Sequence, residues 1–116
     1  MNGMYRPLPQ YPSLENYLVV EDYVQDNISL SAGGYNSATW TVAKKTGYKL
    51  RGIVGVTCEN ATTSGSNSSR IMFYRTSYEL GAEGTDSDSL YVGIRNTHTS
   101  AAAIKVTLQL LYFKID

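Results

Sequence analysis

Residues 101–116 read "AAAIKVTLQLLYFKID", and their pattern decides the fold. From Ile104 to Leu110 apolar and polar side chains alternate, the period-two signature of a strand with one face in a core and the other in water. Ile104, Val106, Leu108 and Leu110 form the inner row, and Lys105, Thr107 and Gln109 the outer one. The outer row then turns apolar with Leu111, Phe113 and Ile115. Full burial of such side chains is worth about 1.5–3 kcal/mol each, so this end of the strand calls for a cover. The N-terminal segment of the same chain could supply it, and so could symmetric packing of several copies.

Working outward, the same alternation recurs at short intervals. "LYVGIRN" (90–96) sends Leu90, Val92 and Ile94 inward and Tyr91 and Arg95 outward. "RIMFYRTSY" (70–78) sets Ile71 and Phe73 against Met72 and Tyr74. "YKLRGIVGVTCE" (48–59) puts Tyr48, Leu50, Val54, Val56 and Cys58 on one face, with Ile53 interrupting the polar one; Gly52 and Gly55 mark bends or a close neighbour. "ATWTVA" (38–43) turns Ala38, Trp40 and Val42 to the core. "NISLS" (27–31) is brief and ends at Gly33 and Gly34. "NYLVVEDYV" (16–24), β-branched and aromatic, supplies a first strand over Tyr17–Val24. "NATTSGSNSS" (60–69) and "ELGAEGTDSDS" (79–89) are polar, turn-rich loops. These signals predict an all-β protein, a single antiparallel β-sandwich of about seven to eight strands, jelly-roll-like. Residues 17–116 form that domain. Residues 1–16 hold all three prolines, Pro7, Pro9 and Pro12, and form an extended arm, because proline at this density excludes helix and ladder alike.

The totals narrow the function. The 116 residues suffice for one domain. Ten basic side chains balance ten acidic ones, which removes the basic surplus that nucleic-acid binding requires. No stretch reaches membrane-spanning length, so no membrane insertion is expected. "MNGMYRPLPQ" lacks a basic region followed by an apolar run, so no signal peptide is expected either.

Chemistry-bearing residues are few. Cys58 is the single cysteine and His98 the single histidine. A lone free cysteine most often serves as a small buried hydrophobe, so no catalytic residue is assigned. Glu83, Asp86 and Asp88 lie close together, but the further ligands of a calcium loop are missing and a solvated turn accounts for them. They also lack the opposed cleft geometry of a glycosidase pair. No phosphate-binding loop precedes a helix, so no cofactor and no metal is expected. The excess lies in tyrosine, with ten in the chain. Tyr35, Tyr74, Tyr78 and Tyr91 fall at strand edges or outward positions, where a ring can stack on a sugar or a partner protein. The plainer account is that tyrosine suits strands, with an apolar body and a wet tip.

"TGYKLRGIVGV", a loop, and "SLYVGIRNTHTSAAAIKVTLQLLYFK" together resemble the C-terminal β-sandwich domains of tailed-phage and prophage tail fibre and baseplate proteins. The shared features are a Gly47–Tyr48 turn into a long apolar strand, a strand ending on Asn96, the small polar hairpin "THTSAAA", and the apolar-aromatic run Leu110 to Phe113. The resemblance spans roughly Trp40 to Lys114. It implies a virion structural domain, made in the bacterial cytoplasm and acting outside it. It also implies a homotrimer, with Leu111, Phe113 and Ile115 at the subunit interface, that contacts other virion proteins and presents loops to a host surface polysaccharide or protein. The rival readings are a virion decoration or assembly protein that binds no receptor, and a bacterial carbohydrate-binding module.

Overall fold

The final strand is the spine of the fold. In the computed structural model, which describes residues 17–60 and 70–115, six strands are present: β1 (Leu18–Leu30), β2 (Tyr35–Ala43), β3 (Tyr48–Asn60), β4 (Ile71–Glu79), β5 (Ser87–Asn96) and β6 (Ala102–Lys114). They form two antiparallel sheets of three strands, the first ordered β1-β6-β3 and the second β2-β5-β4. The proline-rich arm and the 61–69 loop lie outside the described residues.

Each sheet has its most buried strand at the centre. On β6 every second residue from Ala102 to Tyr112 is buried, and on β5 the inward row is Asp88, Leu90, Val92, Ile94 and Asn96. The apolar members of these rows, with Leu30 and Leu50, form one cluster to which both sheets contribute. The alternation read from residues 104–110 therefore holds, and the inner row runs one step further, to Tyr112. At one margin Tyr23 of β1 stacks on Trp40 of β2, with ring centroids 6.1 Å apart. The Tyr23 hydroxyl donates to the Thr41 carbonyl at 3.1 Å, so a side chain of the first sheet also bonds to backbone of the second.

The strand count is six, against an expectation of seven to eight. Leu18–Val24 of the first expected strand and Asn27–Leu30 of "NISLS" belong to one strand, β1, which pairs with β6. Its register shifts between Gln25 and Ile28, where Asn27 has a φ of 60° and its backbone amide donates to the Asp26 carboxylate at 2.8 Å. Asn tolerates this left-handed conformation, so the chain bulges there and does not turn back.

β3 corrects a second expectation. Its register shifts between Leu50 and Gly52 and again between Ile53 and Gly55. Each bulge inserts one residue and flips the parity that follows. Leu50, Ile53 and Val56 consequently face the core at spacings of three, whereas Val54, expected inward, is 56% exposed. The close neighbour at Gly55 is Gln109: a Cβ there would sit 2.0 Å from its Oε1.

The turns at one end of the molecule converge on a polar residue. Asn96 closes β5 with 0% exposure. Its Nδ2 donates to the carbonyls of Ser31, at 3.1 Å, and Ser100, at 2.8 Å, while its Oδ1 accepts the His98 amide at 3.0 Å. One side chain thus ties the β1–β2 connection to the β5–β6 connection.

Candidate functional site

The outward faces of the sheets differ in chemistry. On the first sheet, β6 presents Lys105, Thr107, Gln109, Leu111 and Phe113. Leu111 pairs with Val20 and Phe113 with Leu18, so apolar residues of β1 adjoin the apolar end of β6. Phe113 is 43% exposed, and the Arg51 guanidinium lies 5.8 Å from its ring centroid. Leu111 is half-buried. Ile115 follows the end of β6, is 51% exposed, and lines a cavity of about 480 Å³ together with Tyr48, Leu50 and Leu80.

That cavity also touches Lys44 and Asp88, yet both are committed to the fold. Lys44 Nζ donates to the carbonyls of Gly81 and Ala82 at 3.0 and 3.1 Å. The sequence places Asp88 in an acidic turn. It belongs instead to β5, is buried, and accepts the Gly81 amide at 2.8 Å. Glu83 and Asp86 remain exposed, and no group of three potential metal ligands occurs among the described residues.

The second sheet presents the aromatic face. Its outward rows across β2, β5 and β4 are Tyr35, Arg95, Met72; then Ser37, Gly93, Arg75; then Thr39, Tyr91, Ser77; then Thr41, Ser89, Glu79. Tyr74 is the extra residue of a bulge between Phe73 and Arg75. The bulge keeps Phe73 packed against the core and leaves Tyr74 45% exposed beside Tyr35, itself 64% exposed. The two rings meet edge to face, with centroids 5.8 Å apart and planes at 69°. The hydroxyls of Tyr74 and Ser37 share a hydrogen bond of 3.2 Å. Glycine at position 93 makes room for the Tyr74 ring, since a Cβ there would lie 2.4 Å from it and displace it. The ring therefore lies over bare backbone.

Tyr91 extends this face. Its hydroxyl donates to Glu79 Oε1 at 2.7 Å, and the Arg75 guanidinium sits 5.0 Å from its ring centroid. The bond to Glu79, followed by burial, raises the Tyr91 pKa above its ordinary value, so the phenol stays protonated and donating. Tyr78 does not join the group. It pairs with Leu90 and packs against the core. Tyr35, Tyr74 and Tyr91 thus share one face, whereas Tyr78 and the 111–115 run lie elsewhere. Arg95 and Gly93 were not singled out from the sequence as part of a site. The alternation of "LYVGIRN" already turned both outward with Tyr91; which tyrosines they would meet depended on strand pairing.

Cys58 packs against the core opposite Val106, and burial first, then the neighbouring Glu59 carboxylate, push its thiol above the usual range. His98 lies in the β5–β6 turn, where its Nδ1 accepts the Ser100 amide at 3.0 Å. No hydrogen bond joins the two among the described residues. A thiol reagent should therefore label the native protein slowly and the unfolded protein fast. Equal rates would remove the inward assignment of Cys58.

Comparison with protein-family models, with curated proteins and with solved structures found no match for this chain.

Proposed function

We propose that this chain is a non-enzymatic recognition domain of a phage particle, a homotrimer that binds a host-surface glycan through the tyrosine face of its second sheet. The observation that carries the reading is the exposed Tyr35–Tyr74 pair, with the Tyr74 ring seated over Gly93. Exposed rings held by a bulge and a glycine form a rigid surface that loses little conformational freedom on stacking against a sugar. The fold agrees with it. Nested pairing of β1 with β6 and of β2 with β5, with the chain crossing between sheets at most connections, supports reading the fold as a small jelly-roll-like sandwich.

The trimer has its own support. Val20 and Phe113 are exposed side by side with Leu111 and Leu18 on the outer face of the first sheet, an apolar surface a second copy would cover. The same patch favours a second reading, a decoration or assembly subunit that contacts only other virion proteins. A glycan array separates the two: saturable binding of wild type, lost in Tyr35→Ala and Tyr74→Ala, supports recognition, and silence favours assembly. Light scattering tests the trimer. Wild type should have three times the chain mass at micromolar concentration, and Phe113→Asp should be monomeric. A monomeric wild type would end the interface reading.

A further inference from the structure

We infer that the tyrosine face is built for a negatively charged saccharide, and that Arg95, with Arg75, reads the charge. This rests on the glycan reading and narrows it. The two ion pairs among the described residues, Lys45 with Glu21 and Lys105 with Glu59, leave both arginines of this face without a carboxylate partner. Arg95 stands between Tyr35 and Met72 in the sheet, and its guanidinium lies 4.8 Å from the Tyr35 ring centroid. Its Nε is buried and bonded to no acceptor. The ring, and not a set of hydrogen bonds, therefore holds the guanidinium in position. Stacking of this kind leaves the in-plane N–H groups uncommitted, and their planar fork matches the two oxygens of a carboxylate or of a sulfate ester.

Arg75 is committed almost as lightly. Its Nε makes one long hydrogen bond, 3.3 Å, to Ser77 Oγ, and its guanidinium stacks on Tyr91. The acid on this face, Glu79, sits at the opposite end from Arg95 and is occupied by the Tyr91 hydroxyl. The chain carries no net charge, so this is a local cationic surface on a neutral protein. It combines what an acidic sugar requires: rings for the apolar face of the pyranose, exposed hydroxyls of Ser37 and Thr39, and two guanidinium groups for the anion.

The test uses matched probes on the 116-residue chain: an oligogalacturonate against its methyl ester, 3′-sialyllactose against lactose, and a 6-sulfated lactose as the sulfate arm. The charged member of at least one pair should bind about tenfold tighter or more, weakening as salt rises. Arg95→Gln should lower that affinity by about 10- to 100-fold, the range for losing a hydrogen bond to a charged group. Arg95→Lys, which keeps the charge but not the fork, should not restore it. If Arg95→Gln melts early, Arg75→Gln at an exposed position carries the test with a smaller loss. Preference for sulfate alone or carboxylate alone identifies the anion and supports the inference. Equal affinity for charged and neutral members overturns it and leaves glycan recognition standing. A charge preference unchanged in both arginine variants overturns the assignment of these residues. Binding to none of the probes, nor to any neutral glycan on the array, overturns the inference and the glycan reading together.

Discussion

Asn96→Ala is expected to lower the folding free energy by about 2–4 kcal/mol, on the basis of roughly 1 kcal/mol for each of its hydrogen bonds plus the cost of groups left unpaired. The side chain is fully buried and serves two carbonyls and one amide drawn from segments up to 65 residues apart. Alanine leaves the Ser31 and Ser100 carbonyls and the His98 amide to find water in a crowded turn. Asn96→Asp is the sharper variant. It keeps the acceptor for His98 but aims a carboxylate oxygen at two carbonyl oxygens. That environment raises the folded-state pKa of the new acid above its unfolded value of about 3.9. The deficit of Asn96→Asp relative to wild type should then be smallest below about pH 4 and grow as pH rises through the folded-state pKa. Urea unfolding at several pH values measures both effects. A deficit below about 0.5 kcal/mol for Asn96→Ala, or one independent of pH for Asn96→Asp, would contradict the clasp.

Leu108→Ala should cost about 2–5 kcal/mol, the range for a large aliphatic residue removed from a packed interior. Leu108 is 0% exposed at the middle of β6, between Tyr23 on β1 and Val56 on β3. The loss should not depend on protein concentration, because the cavity lies within one chain. Leu111→Ala, on the opposite face of the same strand, should behave differently. Within one chain it is half-buried and its loss is smaller. If the outer face of the first sheet is a subunit interface, its apparent loss varies with concentration by mass action. Paired denaturation curves at two concentrations distinguish the faces. A Leu108→Ala protein as stable as wild type would refute the inner row on which the fold is argued.

The sequence by itself determined the strands and most of their faces. In "IKVTLQL", "LYVGIRN" and "ATWTVA" each side chain's face follows from its neighbours two residues away, because the pleat alternates locally. No distant contact is needed to read it. Only the tertiary structure decided the rest. Asn27 looked like the start of a new strand, yet β6 pairs across it and makes a bulge of it. Val54 and Ile53 exchanged faces because two bulges in β3 reset a parity that local counting carries straight through. Asp88 left its acidic turn for the core once Gly81 offered it an amide. Among the tyrosines, Tyr35 and Tyr74 are 39 residues apart in the chain and meet because β2 and β4 both flank β5, while Tyr78, four residues beyond Tyr74, faces the other way. A period-two pattern records which side of its own strand a residue occupies. Which strand lies alongside, and in what register, is settled by long-range pairing that no local run of residues contains.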